Sequence, residues 1–289
     1  MALPVRLLWA LDRLFPPDPA AYMVGEELTK REVRLAPESI GRYLATLQRT
    51  DVDVLDFGCG WGGETMWLAE RVRSVTGVDV DAKAVAVANT ALAGRTLANC
   101  RFAHSADGRL PFPSGSFDAV FSTNTFEHVM DLDLAFAEIF RVLRPGGALV
   151  THFGPLFFSP FGYHLYWACA VPYAHLLFGL PAILQLRNAR CDSPSAATSW
   201  QGMGLNGRRF RDYQASVQRA GFAVRRFDCL AVRNLRVLTK IPWLGDLFIF
   251  GINAHLIKPD WSPEPRPGPA ASSADVRESP GASAAIGTG

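Results

Sequence analysis

The short apolar run Val52-Asp53-Val54-Leu55-Asp56-Phe57 breaks into Gly58-Cys59-Gly60-Trp61-Gly62-Gly63. A helical pattern follows from Glu64 through Met66, Leu68 and Ala69. This reads as a buried strand, a glycine loop and a helix N-terminus, an arrangement that brings bare backbone N–H groups up to a ligand. A tight turn without any ligand is the alternative for such glycines taken alone. Gly58, Gly60 and Gly63 also satisfy the spacing of dinucleotide binders.

Asp56 decides between ligands. A carboxylate at the mouth of the loop repels a pyrophosphate and attracts a cation, so S-adenosylmethionine, with its ammonium and sulfonium, fits better than NAD. The next apolar strand, Val75 to Val80, carries Asp79 about 20 residues beyond the loop, where doubly wound folds grip ribose hydroxyls. Asp81 reads as the N-cap of a helix over residues 82–92. Asp107, after a strand ending near Ser105, is placed to accept from an adenine amine; a turn aspartate before glycine is the alternative. A fourth strand is expected over 116–122, an amphipathic helix over 132–143, and a stop at Arg144-Pro145-Gly146-Gly147 before a strand over 148–153.

With these pieces in order, the chain resembles the class I S-adenosylmethionine-dependent methyltransferases. The resemblance rests on Leu55–Gly62, Gly77–Asp79, Leu110–Val120, Glu127–Val129 and Arg141–Gly147. It is strong over residues 50–155 and weak over 206–258. It implies an α/β, doubly wound, seven-stranded and mostly parallel sheet of Rossmann-like type, with one antiparallel strand in the final pair. It also implies that Asp56 and the backbone of Gly58, Cys59 and Gly60 hold the methionine part, and that Asp79, with Val80 beside it, holds the ribose. Ala106 and Asp107 would take the adenine, and Asn124 and Thr125 line the site. In similar enzymes, N-terminal helices close over the cofactor. Gly108 departs from the alanine that many relatives carry.

Composition sets limits on the rest. A chain of 289 residues, 49% hydrophobic, is ample for one α/β domain with an added subdomain. Its formal net charge of +2, without a dense basic block, argues against a nucleic-acid substrate. The five cysteines are odd in number and scattered, fitting neither a disulfide framework nor a zinc site. A cytoplasmic location follows, and no residue is assigned to a metal.

Residues 1–49 are expected to form N-terminal helices. The first of them, over 1–15, is read as a docking helix, with a membrane-surface helix as the sharper alternative. Residues 50–258 form the catalytic domain, and the tail over 259–289 has the composition of a disordered segment. Within the domain, residues 154–206 are rich in aromatic and apolar side chains and read as a mainly helical cap over an acceptor pocket. A membrane-inserted hairpin is the alternative, opposed by Pro172, His175 and Pro181. Such a cap favours a small-molecule acceptor with apolar bulk, such as a lipid or quinone, and leaves a peripheral membrane contact open.

O-methylation is favoured over N- or C-methylation. An alcohol or phenol acceptor profits from a base, and His128 and His152 are the candidates; core or capping roles are their alternatives. Two other classes stay open, an NAD-dependent oxidoreductase and a non-catalytic nucleoside-binding subunit.

Overall fold

In the computed structural model, residues 3–17, 26–41, 50–191, 193–233, 235–242 and 244–260 are described. The expected tail beyond 260 and part of the N-terminal helical region lie outside them. Seven strands form one sheet: β1 (Asp53–Phe57), β2 (Ser74–Asp79), β3 (Cys100–His104), β4 (Phe117–Thr123), β5 (Leu143–Phe153), β6 (Ala223–Ala231) and β7 (Ile249–Ile257). Their order is β3-β2-β1-β4-β5-β7-β6. β7 alone runs antiparallel, pairing with both β5 and β6. The doubly wound, mostly parallel sheet is as expected.

The helices are α1 (Leu3–Asp12), α2 (Glu26–Ala36), α3 (Gly63–Ala69), α4 (Ala82–Ala93), α5 (Leu132–Val142), α6 (Ala174–Asn188) and α7 (Phe210–Arg219). Central strands are covered on both faces, and their side chains show it: Val54, Leu55, Ala119, Val120 and Leu149 are all fully buried. One face packs under Phe136, Ile139, Tyr213 and Val217 of α5 and α7. The other packs under Met66, Trp67 and Leu68 of α3, together with Ala36 and Ile40.

Local chemistry sets several boundaries. Asp81 caps α4, its carboxylate accepting from Lys83 N at 2.8 Å and Ala84 N at 3.4 Å. Asp131 caps α5 through Leu134 N. At the opposite edge of the sheet from the glycine loop, Arg73 and Arg144 both pair with Asp53 and Asp118, tying the starts of β1 and β4 to β5. The Arg73 guanidinium holds the Asp53 carboxyl far below the usual carboxylate range.

Three expectations are corrected. The Arg144–Gly147 stretch does not end before β5; β5 begins at Leu143 and runs through it, because Lys258 N donates to Gly147 O and Gly146 N donates to Lys258 O. The apolar run Asp246–Ile257 reads in the sequence as the seventh strand, but it is extended only from Ile249, since Gly245–Phe248 forms a 3-10 turn. The insertion over 154–206 is less helical than expected. It holds one helix, α6, kinked at Gly179, and a short turn at Gln201–Met203, with turns and extended chain between them. Its proline and glycine content explains the difference.

The insertion builds its own core. Tyr163, Leu165, Trp167, Val171, Ile183 and Leu186 pack with Val5 and Leu8 of α1. Arg190 closes this unit, pairing with Asp12 and donating to Ala168 O.

Candidate cofactor and acceptor site

The loop after β1 works because its neighbours demand glycine. Gly58 has φ +78°, and a Cβ there would sit 2.2 Å from Thr125 Cγ2. At Gly63 the constraint is contact: a Cβ would meet Glu32 Cβ at 2.4 Å and Thr29 O at 2.6 Å. α2 therefore lies directly on the first turn of α3. Thr29 Oγ1 donates to Trp61 O at 3.0 Å, and Gly63 N donates to Glu32 Oε2 at 3.0 Å.

A cavity of about 820 Å³ opens at the carboxyl ends of β1, β2 and β4, where open α/β sheets place their ligands. Asp56, Gly58, Cys59, Gly60, Asp79, Val80, Ala106, Asp107, Asn124, Thr125 and His128 all line it. So do Glu32 and Glu64, which sequence reasoning passed over. Glu64 looked like an ordinary acidic first-turn residue, and Glu32 belongs to no motif. Only the packing of α2 brings Glu32 to the loop.

His152 stands apart. Its side chain does not line this cavity, and its Nδ1 lies 2.6 Å from Asn253 Oδ1 on β7. His152 is registered directly opposite Asn253 across the β5–β7 ladder, which leaves His128 as the candidate base that faces the cavity. No described residue of 154–206 lines the cavity either. Among the described residues, the insertion meets the cavity wall from behind, at His128 and at Val129, whose carbonyl accepts from Asn206 Nδ2 at 2.9 Å. There, His128 Nδ1 lies 2.7 Å from Gly204 O, and the His128 and His164 rings stand edge to face at 4.9 Å.

Four carboxylates, Glu32, Asp56, Glu64 and Asp79, dominate the electrostatics. Asp56 is buried and accepts from Thr65 Oγ1 at 2.5 Å. Burial first, then the neighbouring Glu64, raises its pKa to about 8. Glu32 rises to about 7, again through burial and then through Glu64 and Asp79. Carboxylates held this close favour a cationic guest, whose charge relieves both desolvation and mutual repulsion. Burial likewise pushes the Cys59 thiol well up, so it stays protonated and fills space.

Asp79 accepts from Gly60 N at 2.8 Å on one oxygen and from Asp81 N at 2.9 Å on the other. Each oxygen keeps a second acceptor site for a hydroxyl. Asp107 accepts from Arg109 N at 3.0 Å, the turn contact that was its structural alternative, while still facing the cavity. The loop before Asp118 is held by Arg141, which donates to Leu110 O and Phe112 O. Glu138 accepts from Leu110 N beside it.

Residues 55–151 match the methyltransferase domain family. Over that stretch the chain is similar to S-adenosylmethionine-dependent methyltransferases.

Among its relatives is the demethylmenaquinone methyltransferase of Thermus thermophilus, 34% identical over 44% of this chain and 60% of that protein. The fatty-acid O-methyltransferase of Mycolicibacterium smegmatis is 34% identical over 38% and 40% of the two chains. The sterol 4-C-methyltransferase strm-1 of Caenorhabditis elegans is 26% identical over 43% and 40%. The chain thus spans 40–60% of the length of these relatives. The [4+2]-cyclase SpnF shares the fold, with a TM-score of 0.51 at 19% identity over 79% of this chain and 80% of that one. This fold does not by itself name a reaction.

The cofactor of the family, S-adenosylmethionine, fits the residues present. The acidic cluster suits its positive groups, Asp79 suits a ribose, and no lysine or arginine among the described residues lines the cavity for a pyrophosphate. The NAD alternative is set aside on that donor set.

Proposed function

We propose that this methyltransferase moves a methyl group from S-adenosylmethionine to the oxygen of an apolar small molecule. The observation that carries the reading is the convergence of Glu32, Asp56, Glu64 and Asp79 on the glycine loop. A retired binding subunit would have no use for four crowded carboxylates. When bound, the cofactor supplies a methyl group already activated on a sulfonium.

The chain's own part is alignment and proton handling. Glu32, Asp56 and Glu64 hold the cationic end, Asp79 and Val80 the ribose, and Ala106 and Asp107 the base. Asn124 and Thr125 form the floor where the two reactants meet. Alignment of this kind supplies roughly 7–11 kcal/mol of barrier lowering. His128 is the proposed base. Its Nδ1 faces a carbonyl and so carries the proton, which leaves Nε2 to accept one from an acceptor hydroxyl. That step contributes roughly 10²–10⁴-fold.

The apolar acceptor is supported by the cavity wall, where Leu28, Leu110, Val129, Met130 and Leu134 face inward, and by the fatty-acid, sterol and quinone named in the relatives. A surface role suits α1. Leu3 and Leu7 on it, and Leu14 and Phe15 just past its end, are 79, 52, 73 and 42% exposed, flanked by exposed Arg6 and Arg13. No helix among the described residues is long and apolar enough to cross a membrane, so the contact proposed is peripheral. Five free cysteines suit a reducing cytoplasm.

The test is incubation with methyl-labelled cofactor and a lipid extract, followed by identification of the labelled product. Label on a carboxyl or hydroxyl oxygen of an apolar compound is the expected result. Label on carbon or nitrogen would overturn the O-methyl assignment, and absence of cofactor binding in calorimetry would overturn the whole reading. Flotation with anionic liposomes tests the peripheral contact, and a protein that stays at the bottom of the gradient removes it.

A further inference from the structure

At His128 the cavity wall meets a cluster whose other members, Glu127 and His164, methyl transfer does not use. Glu127, next to His128 in the turn after β4, is 2% exposed. Its Oε1 accepts from Gly154 N at 3.2 Å, and its Oε2 is buried without a hydrogen-bond partner among the described residues. A carboxylate oxygen left bare in the interior is costly and calls for a ligand.

Two imidazoles stand beside it. His164 sits in the insertion at φ +56°, in the left-handed region, and its Nε2 lies 2.8 Å from Pro155 O. His128 Nδ1 faces Gly204 O at 2.7 Å. Carbonyls only accept, so in each ring that nitrogen carries the proton and the other nitrogen keeps its lone pair. This is the orientation that metal-ligating histidines take, one N–H fixed on a backbone carbonyl and the opposite nitrogen presented to the ion. One donor atom from each of Glu127, His128 and His164 lies within 4.8 Å of the others.

We propose that Glu127, His128 and His164 form a binding site for one divalent transition ion of the zinc class. Two imidazoles and one carboxylate suit Zn²⁺ and its neighbours rather than Mg²⁺ or Ca²⁺, which prefer all-oxygen sets. Bond lengths of about 2.0–2.2 Å require the donors to draw closer; the exposed His128 ring is the one with room to move. His128 also lines the cavity, so the fourth position opens toward it and would take water or an acceptor oxygen. With the ion bound, the His128 lone pair is occupied and the residue no longer serves as a free base. The site itself does not depend on the methyl-transfer reading.

The test uses the full chain, stripped with chelator and titrated with Co²⁺ under visible absorption, then with Zn²⁺ in competition. One equivalent of Co²⁺ with tetrahedral d–d bands, displaced by Zn²⁺, is expected. Affinity should fall by at least about 10-fold in each of Glu127→Gln, His128→Gln and His164→Gln. Glu127 is buried and His164 half-buried, so a failure of their variants to fold is read from melting curves, whereas His128 is exposed and its variant keeps the test open. No stoichiometric Co²⁺ signal, unchanged affinity in His128→Gln, or a thiolate-to-cobalt charge-transfer band would each overturn the proposal. S-adenosylmethionine binding to the stripped protein, measured by calorimetry alongside, separates failure of the ion site from failure of the cofactor site.

Discussion

Glu32 accepts a hydrogen bond from the backbone of Gly63, joining a helix that precedes the sheet to the first turn of the helix that follows the glycine loop. The contact makes an N-terminal element part of the cofactor site. Glu32→Ala should weaken S-adenosylmethionine binding by about 1.5–3 kcal/mol, the range for a hydrogen bond to a charged group. Calorimetry beside a melting curve checks it. An unchanged dissociation constant in a folded variant would return α2 to a purely structural role.

At Asp79 the backbone N–H groups of Gly60 and Asp81 both lose their acceptor if the carboxylate is removed. Asp79→Ala is therefore expected to weaken cofactor binding by about 1.5–3 kcal/mol and to lower the melting temperature as well. Asp79→Asn should keep most of the stability while still losing affinity, which separates loop support from ribose recognition.

The raised carboxyls predict a pH dependence. Asp56 at about 8 and Glu32 at about 7 hold protons in the folded chain that the unfolded chain releases near pH 4 to 5. Their contribution to stability is thus complete below about pH 4 and is lost as pH rises through 7 and 8. The ligand-free protein should melt at a lower temperature at pH 8 than at pH 6, and Asp56→Asn should flatten that slope. Cofactor binding favours the ionised forms, so it should tighten from pH 6 to 7.5 and release protons. Calorimetry in buffers of different ionisation enthalpy detects the release, and proton uptake would contradict the cluster's role.

Gly58→Ala places a methyl group 2.2 Å from Thr125 Cγ2 at a backbone angle hostile to side chains. A loss of about 1–3 kcal/mol in stability is expected from the overlap, with cofactor binding falling below detection. Binding within threefold of the parent chain would show that the loop relaxes freely.

In the insertion, Trp167 and Tyr166 are neighbours in sequence with opposite surroundings, 8% and 43% exposed. Trp167→Ala should cost about 3–5 kcal/mol of stability, while Tyr166→Ala should change melting little. Neither should alter acceptor use in the protein that remains folded. A kinetic defect in stable Tyr166→Ala would restore the insertion to the acceptor pocket.

How much of this was legible beforehand depended on whether the signal was local. The run from Val52 to Glu64, the acid at Asp79 and the capping Asp81 each carry their structure within a few residues, and the sheet follows from them. Glu32 was invisible because nothing near it in sequence marks a ligand; only the seating of α2 on Gly63 does, while Glu64, beside the glycine loop, reads in sequence simply as the start of a helix. His152 stood second to His128 as a candidate base, and the pairing with Asn253 on the antiparallel β7 could not be read from the sequence. The aromatic residues of 154–206 suggested a pocket wall, yet a segment of that length must first bury its own side chains, and α1 supplies the other half of that burial. Arg141 looked like one basic residue of a motif, and its grip on Leu110 and Phe112 needed the fold to be seen.

The pairing of Asp12 with Arg190 spans 178 positions of sequence. Closing so long a loop is slow, while the entropy it costs grows only gently with length. The lobe made by α1 and the insertion should accordingly assemble late, onto a sheet already formed, and open first when the protein is stressed. Amide exchange would then rank this lobe below the sheet in protection. A ribosome-bound chain would hold α1 unpartnered until the insertion emerged, leaving its Val5 and Leu8 face exposed to whatever chaperone or surface lay nearby.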